Sequence, residues 1–194
     1  MGLGQSMLVV AALSLLGILI LNSNRTIMET NDIQNDSEFG ITAVSLATSL
    51  VEESMGKMFD AVVADTSNTL TDSTLLTPVA GLGHSVTESY RGNVAGTNDF
   101  NDFDDYNNLF LVYKSTNPAD TVHTPGSDYE FKVPGIRSKY FVRAKVYYVQ
   151  PTNLNGTSAT PTWHKKIVIT VTRPQPFANK ADTLIFPAVM SFWN

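Results

Sequence analysis

Fifteen consecutive residues from Met7 to Leu21, MLVVAALSLLGILIL, carry no charge and only one polar side chain, Ser14. Such a run is unfavourable in open water, so it has to be buried in lipid, in the chain's own core or against other chains. As a helix rising ~1.5 Å per residue, Leu3 to Leu21 spans about 28 Å, close to the ~30 Å hydrocarbon core of a bilayer. A removable export signal fits poorly. MGLGQS ahead of the run supplies no Lys or Arg, and NSNRTIMET behind it offers no small-x-small cleavage site.

The rest of the 194-residue chain is large enough for one substantial domain, and its 43% hydrophobic content supports a packed core rather than disorder. The net charge is −5 and the pI near 5.0. Both argue against nucleic acid as a partner, since phosphate binding requires clustered Lys and Arg. All of the net charge lies in the first third: up to Ala64 there are two basic residues and seven acidic ones, and the remainder is balanced. The absence of cysteine excludes disulfides, thiolate catalysis and cysteine-based zinc sites.

Beyond the apolar run, NSNRTIMETNDIQNDSEFG is rich in residues that compete with the helical backbone for hydrogen bonds, which makes helix marginal from Asn22 to Ser37. After Gly40 the apolar residues Val44, Ala47, Val51, Met55, Met58 and Val62 follow a 3-4 spacing and predict an amphipathic helix. A turn-rich connector follows, and then segments dense in β-branched and aromatic residues: LFLVYK, DYEFKV, KYFVRAKVYYV, HKKIVITVTR, TLIF and AVMSFW. In the third of these, Tyr140, Val142, Ala144, Val146 and Tyr148 alternate with Arg143 and Lys145, as expected of a half-buried strand. PTNLNGTSATPT predicts a long hairpin into the fourth, which Pro174 and Pro176 close. The expectation is an α+β chain: an N-terminal helix over residues 1–64 and an antiparallel β-rich head over residues 65–194.

This layout resembles the type IV pilin superfamily of pilins and pseudopilins. The resemblance rests on the uncharged N-terminal apolar segment, its amphipathic continuation, the sheet that follows, and Gly4 just ahead of the run. It implies a structural subunit of an extracellular filament, held in the inner membrane before a pilus-type machinery assembles it into a homopolymer. Leu8, Val9, Leu13, Leu16, Ile18 and Leu21 would then form the filament core, with Gly17 allowing close approach. Gly4 and Gln5 would flank the processing site. The family's early glutamate is missing, because no acidic residue precedes Glu29, and Gln5 is the nearest analogue. A different expectation, a single-pass anchor carrying a surface-binding domain, uses the same apolar run merely as a tether.

Candidate chemistry is sparse. His84, His123 and His164 lie in unrelated contexts, with neither an H-E-x-x-H pair nor a G-x-S-x-G elbow, so no enzymatic activity is expected. VAGLGHS lacks the Lys-Ser/Thr ending of a phosphate loop and reads as a turn. DFNDFDD concentrates Asp99, Asp102, Asp104 and Asp105, hard oxygen ligands suited to Ca²⁺; the competing reading is a solvated acidic loop pinned to the core by Phe100, Phe103 and Tyr106. No other cofactor is expected. Asn24, Asn35 and Asn155 fit the short N-glycosylation pattern.

Overall fold

The apolar run does form a helix, and the helix does not stop where the polar residues begin. In the computed structural model, which describes residues 2–65, 70–116, 124, 126–174 and 181–193, helix α1 runs unbroken through Leu3–Met55. The segment from Asn22 to Ser37, expected to be marginal, is helical throughout. Its polar side chains are turned onto the helix itself rather than against it. Thr26 Oγ1 donates to the Asn22 carbonyl at 3.0 Å, Thr30 Oγ1 to the Thr26 carbonyl at 2.8 Å, and Arg25 pairs with Glu29 one turn on at 2.9 Å.

The chain falls into two compact units, Met1–Thr42 and Ala43–Asn194. The second takes in the last turns of α1, upstream of the boundary at residue 64 that the sequence suggests. In these turns Ala43, Ala47, Leu50 and Ser54 are buried at a 4-3-4 spacing, whereas Val44 is exposed and Val51 and Met55 are half-buried. The buried stripe is thus rotated from the expected one. Its two alanines have short side chains that allow close backbone approach, and the bulkier Val44 is left outside.

The helix also ends earlier than expected. Gly56, a poor helix former, is followed by Met58, whose N–H donates to the Asn101 carbonyl at 3.2 Å and whose carbonyl accepts from Phe103 N–H at 2.8 Å. These bonds draw Met58 into a parallel bridge with Asp102. Met58 therefore leaves the helix and is exposed, and Val62 belongs to a separate short helix, α2 (Ala61–Asp65).

Six strands follow among the described residues: β1 (Phe110–Ser115), β2 (Tyr129–Val133), β3 (Tyr140–Gln150), β4 (Asn153–Thr157), β5 (His164–Pro174) and β6 (Ala181–Ser191). The architecture is α+β. They form one sheet in the order β2-β1-β3-β5-β6, with β4 paired to the end of β3 inside the expected β3–β5 hairpin. The sheet is mixed rather than purely antiparallel, because β2 runs parallel to β1. The cause is local. Phe110 N–H donates to the Asp128 carboxylate at 2.6 Å and Asp128 N–H to the Phe110 carbonyl at 2.8 Å, which pins the beginning of β2 beside the beginning of β1.

TLIF and AVMSFW prove to be largely one strand, β6, which carries Pro187 in its interior at the sheet's edge, where a missing ladder donor costs little. Pro174 closes β5, still opposite Ala181; Pro176 lies outside the described residues. On β3, Tyr140, Val142, Ala144, Val146 and Tyr148 are buried while Arg143 and Lys145 are exposed, in line with the alternation of the sequence. Opposite them on β5 stand Val171, Ile169, Ile167 and Lys165, all buried. One position on this core face is a lysine.

Candidate functional site

Two regions of the chain carry features that a plain globular domain does not need. The first is the start of α1. Its eleven large apolar side chains between Met7 and Leu21 are exposed by between 53% (Ile20) and 73% (Met7). Leu8, Val9, Leu13, Leu16, Ile18 and Leu21 are all among them, and a Cβ built on Gly17 meets nothing within 4 Å. Gly4 is equally open, and Gln5 sits in the first turn with its N–H on the Gly2 carbonyl at 2.9 Å. The helix is long and apolar enough to cross a membrane, with a mean hydropathy of 2.2 over its most apolar window and none of that window buried.

The second region is a buried ion cluster under the sheet. Lys165 Nζ donates to the Phe59 carbonyl at 2.8 Å, to Asp60 Oδ2 at 2.8 Å and to Asp104 Oδ1 at 2.5 Å, so all three protons of a fully buried ammonium are taken. The rings of Phe59 and Tyr148 flank it, with centroids 4.7 and 5.2 Å away. Asp60 Oδ1 accepts from Val62 N–H at 3.1 Å and Thr77 Oγ1 at 2.9 Å. Its Oδ2 accepts from Thr77 N–H at 3.1 Å and Tyr148 Oη at 3.2 Å. The cross-strand register places Tyr148 opposite Lys165, so both point at Asp60 from one face of the sheet.

Burial by itself would raise the Asp60 carboxyl, but Lys165 and these donors outweigh it and hold the group below the usual carboxylate range. Tyr148 is pushed upward by burial and by the adjacent Asp60 and Asp104 charges, which keeps its phenol a donor.

The aspartates expected as Ca²⁺ ligands make the following contacts within the protein. Asp99 Oδ2 accepts from Lys57 Nζ at 3.0 Å, and its Oδ1 from the N–H groups of Arg91 and Phe100, both at 2.8 Å. Asp102 Oδ1 accepts from the N–H groups of Asp104 and Asp105, and Asp105 Oδ2 from those of Asn101 and Asp102. Asp104 faces Lys165. Among the described residues no three acidic or histidine groups converge to hold a metal ion. In this cluster Asp104 pairs with the protein's own ammonium, and one oxygen each of Asp102 and Asp105 caps backbone donors of the 101–105 turn. The loop is pinned by Phe100, Phe103 and Tyr106 as expected, but Asp102, Asp104 and Asp105 are buried with them rather than solvated.

Burial, followed by repulsion from Asp104, pushes the Asp102 carboxyl up to about 8. A carboxyl raised above its unfolded value contributes stability that is complete below the unfolded value of ~3.9 and is lost as pH rises toward the folded one. Asp102→Asn retains the oxygen that accepts both N–H groups and removes the titration. Its stability relative to the parent is therefore expected to rise between pH 5 and pH 8, by at most about 1.4 kcal/mol per pH unit, in thermal or urea unfolding at the two pH values.

Glu53, near the end of α1, is a further acceptor that the sequence did not single out. Its carboxylate accepts from Tyr90 Oη at 3.1 Å, Tyr106 Oη at 3.0 Å and Arg91 Nη2 at 2.6 Å. Both phenols are buried, so Glu53→Ala is expected to strand two hydroxyls and destabilise the fold by about 2 kcal/mol or more, read by urea unfolding. Lys165 did have a sequence signal: it shares its parity on β5 with Ile167, Ile169 and Val171. Asp60 and Glu53 had none, because their partners lie far along the chain.

The remaining sequence features are structurally ordinary. His84 stacks on Phe100 with centroids 5.3 Å apart, His164 Nδ1 lies 2.8 Å from Ser191 Oγ, and His123 lies outside the described residues. VAGLGHS is a turn, with Gly83 at φ +131°. Asn24 and Asn35 are exposed on α1 and Asn155 on β4. No protein-family model, curated protein or solved structure matches the chain.

Proposed function

We propose that this chain is the structural subunit of an extracellular filament of the type IV pilin kind, polymerising through the N-terminal half of α1. The observation that carries the reading is the uncovered apolar surface from Met7 to Leu21, which no residue of its own unit buries. In this reading the segment is stored in the membrane as a single span and passes, with the help of an assembly machinery, into a bundle of identical helices. In lipid, helix association depends on close packing, for which Ala11, Ala12, Ser14 and Gly17 supply small surfaces.

A simple tether for a surface-binding domain would use the same span. What favours the filament is the helix beyond it: Ile27, Met28, Ile33 and Ile41 remain more than half exposed after the length of a bilayer has been covered. A tether gains nothing from such residues, whereas a helix bundle buries them.

Gly17→Leu separates the two. A Cβ at this position meets nothing within 4 Å, and leucine improves helix propensity by up to ~1 kcal/mol. Under the filament reading the variant inserts into membrane normally but forms few or no fibres in negative-stain images of the cell surface. Surface display of the parent without any fibres would count for the tether, and wild-type levels of fibres from the variant would remove Gly17 from the packing seam.

A further inference from the structure

The buried cluster holds two partners of a condensation reaction already in contact. We infer that Lys165 and Asp60 join in an intramolecular amide (isopeptide) bond, with Asp104 relaying the protons. The inference is independent of the filament reading.

Three features of the geometry support it. The amine is fully buried 2.8 Å from Asp60 Oδ2, so nucleophile and carboxyl are held in contact and need no diffusive encounter. The two oxygens of Asp60 are unequally surrounded. Oδ1 lies under Val62 N–H and Thr77 Oγ1, donors placed to stabilise the negative charge of a tetrahedral intermediate. Oδ2 faces the Lys165 amine at 2.8 Å, from which a departing oxygen can be protonated; Thr77 N–H lies 3.1 Å from it, and the Tyr148 hydroxyl reaches it at 3.2 Å while donating to the Thr77 carbonyl at 2.8 Å. Finally, Asp104 Oδ1 touches the same amine at 2.5 Å and is itself almost fully buried, so the relay needs no solvent.

The step balances without any co-reactant. Asp104 takes one proton from the Lys165 ammonium and passes it to Oδ2 of Asp60, and the freed lone pair attacks Cγ of the resulting carboxylic acid to form the C–N bond. A second proton passes from nitrogen by way of Asp104 to Oδ2, the C–Oδ2 bond breaks, water leaves, and the remaining nitrogen proton stays on the amide. Nothing is oxidised or reduced. An ammonium and a carboxylate become a neutral amide and water, which removes two charges from a site walled by Phe59 and Tyr148. In a chain without cysteine, the product is a covalent tie between points 105 residues apart.

The test is peptide mapping by tandem mass spectrometry of the folded full-length chain, denatured and digested with trypsin. The expected product is a branched peptide joining residues 58–91 to residues 146–166, lighter by one water than the two together, with no cleavage after Lys165. Asp104→Asn keeps an oxygen for Lys165 but cannot relay protons. It is expected to fold, by circular dichroism, and to release the two peptides separately at unmodified mass. Separate, unmodified peptides from the folded parent would overturn the proposal. An amide located on Asp104, or a cross-link that persists in folded Asp104→Asn, would overturn the assigned roles.

Discussion

Removal of Met7 to Leu21 is expected to leave a protein that stays monomeric in detergent-free buffer, keeps its fold and forms no fibres. The eleven large apolar side chains deleted are all exposed, so the fold loses no internal packing with them. What it loses is the incentive to associate: each such side chain contributes roughly 1.5–3 kcal/mol when moved from water into an apolar contact. Even partial burial of eleven against neighbouring subunits amounts to more than ~10 kcal/mol per subunit, enough to make escape from a fibre negligible. The second compact unit keeps its own core of Phe59, Leu70, Leu76 and Tyr148, with Val62, Val63, Leu82, Trp163, Met190 and Phe192 packed around it. Size-exclusion chromatography with light scattering and negative-stain microscopy read the outcome. If the truncated protein polymerised unaided, assembly would run through the sheet unit and the helix reading would fail.

Replacing Lys165 by Met is expected to be the most damaging single substitution in the sheet unit. The side chain keeps its bulk and loses its charge, which leaves the buried carboxylate of Asp104 without its ammonium and Asp60 without its strongest partner. Breaking one side of a buried ion pair typically costs about 3–5 kcal/mol, because the remaining charge stays desolvated. Where the amide has formed, the variant also loses a cross-link that closes a loop of 105 residues. For cross-links of that span the chain-entropy contribution is of order 4–5 kcal/mol. Thermal unfolding of parent and variant reads the sum. A shift in Tm no larger than that of a surface lysine such as Lys145 would mean that the cluster is not a structural centre. In a second variant, combining Lys165→Met with Asp60→Asn and Asp104→Asn, no buried charge is stranded, and part of the loss is expected to return.

Much of the secondary structure was legible because it depends on neighbours within a few residues. The alternation in KYFVRAKVYYV identified both faces of β3, and the apolar run identified the first half of α1. Legibility failed wherever a distant group intervened. Met58 has suitable spacing for a helical stripe, yet its backbone is captured by Asn101 and Phe103. The DYEFKV segment reads as a strand, but its direction depends on the Asp128–Phe110 bonds, which no periodicity encodes. The aspartates of DFNDFDD look like solvated groups because five oxygen-bearing side chains crowd into seven residues. Asp99 instead meets Lys57 and the Arg91 N–H, Asp102 and Asp105 cap backbone donors of their own turn, and Asp104 meets a lysine 61 residues further on.

By itself the sequence determined that a charge-free helix of membrane-spanning length leads into a strand-rich domain. That follows from hydrophobicity and from the 3.6- and 2-residue periods, which are local properties of the backbone. Only the tertiary structure decided where the charges go. Lys165, Asp60 and Asp104 are ordinary surface residues by type, and each becomes a buried ion only because β5, the start of α2 and the 101–105 turn meet at one point. An electrostatic partnership depends on distance in space and on exclusion of water, and neither is a function of position along the chain.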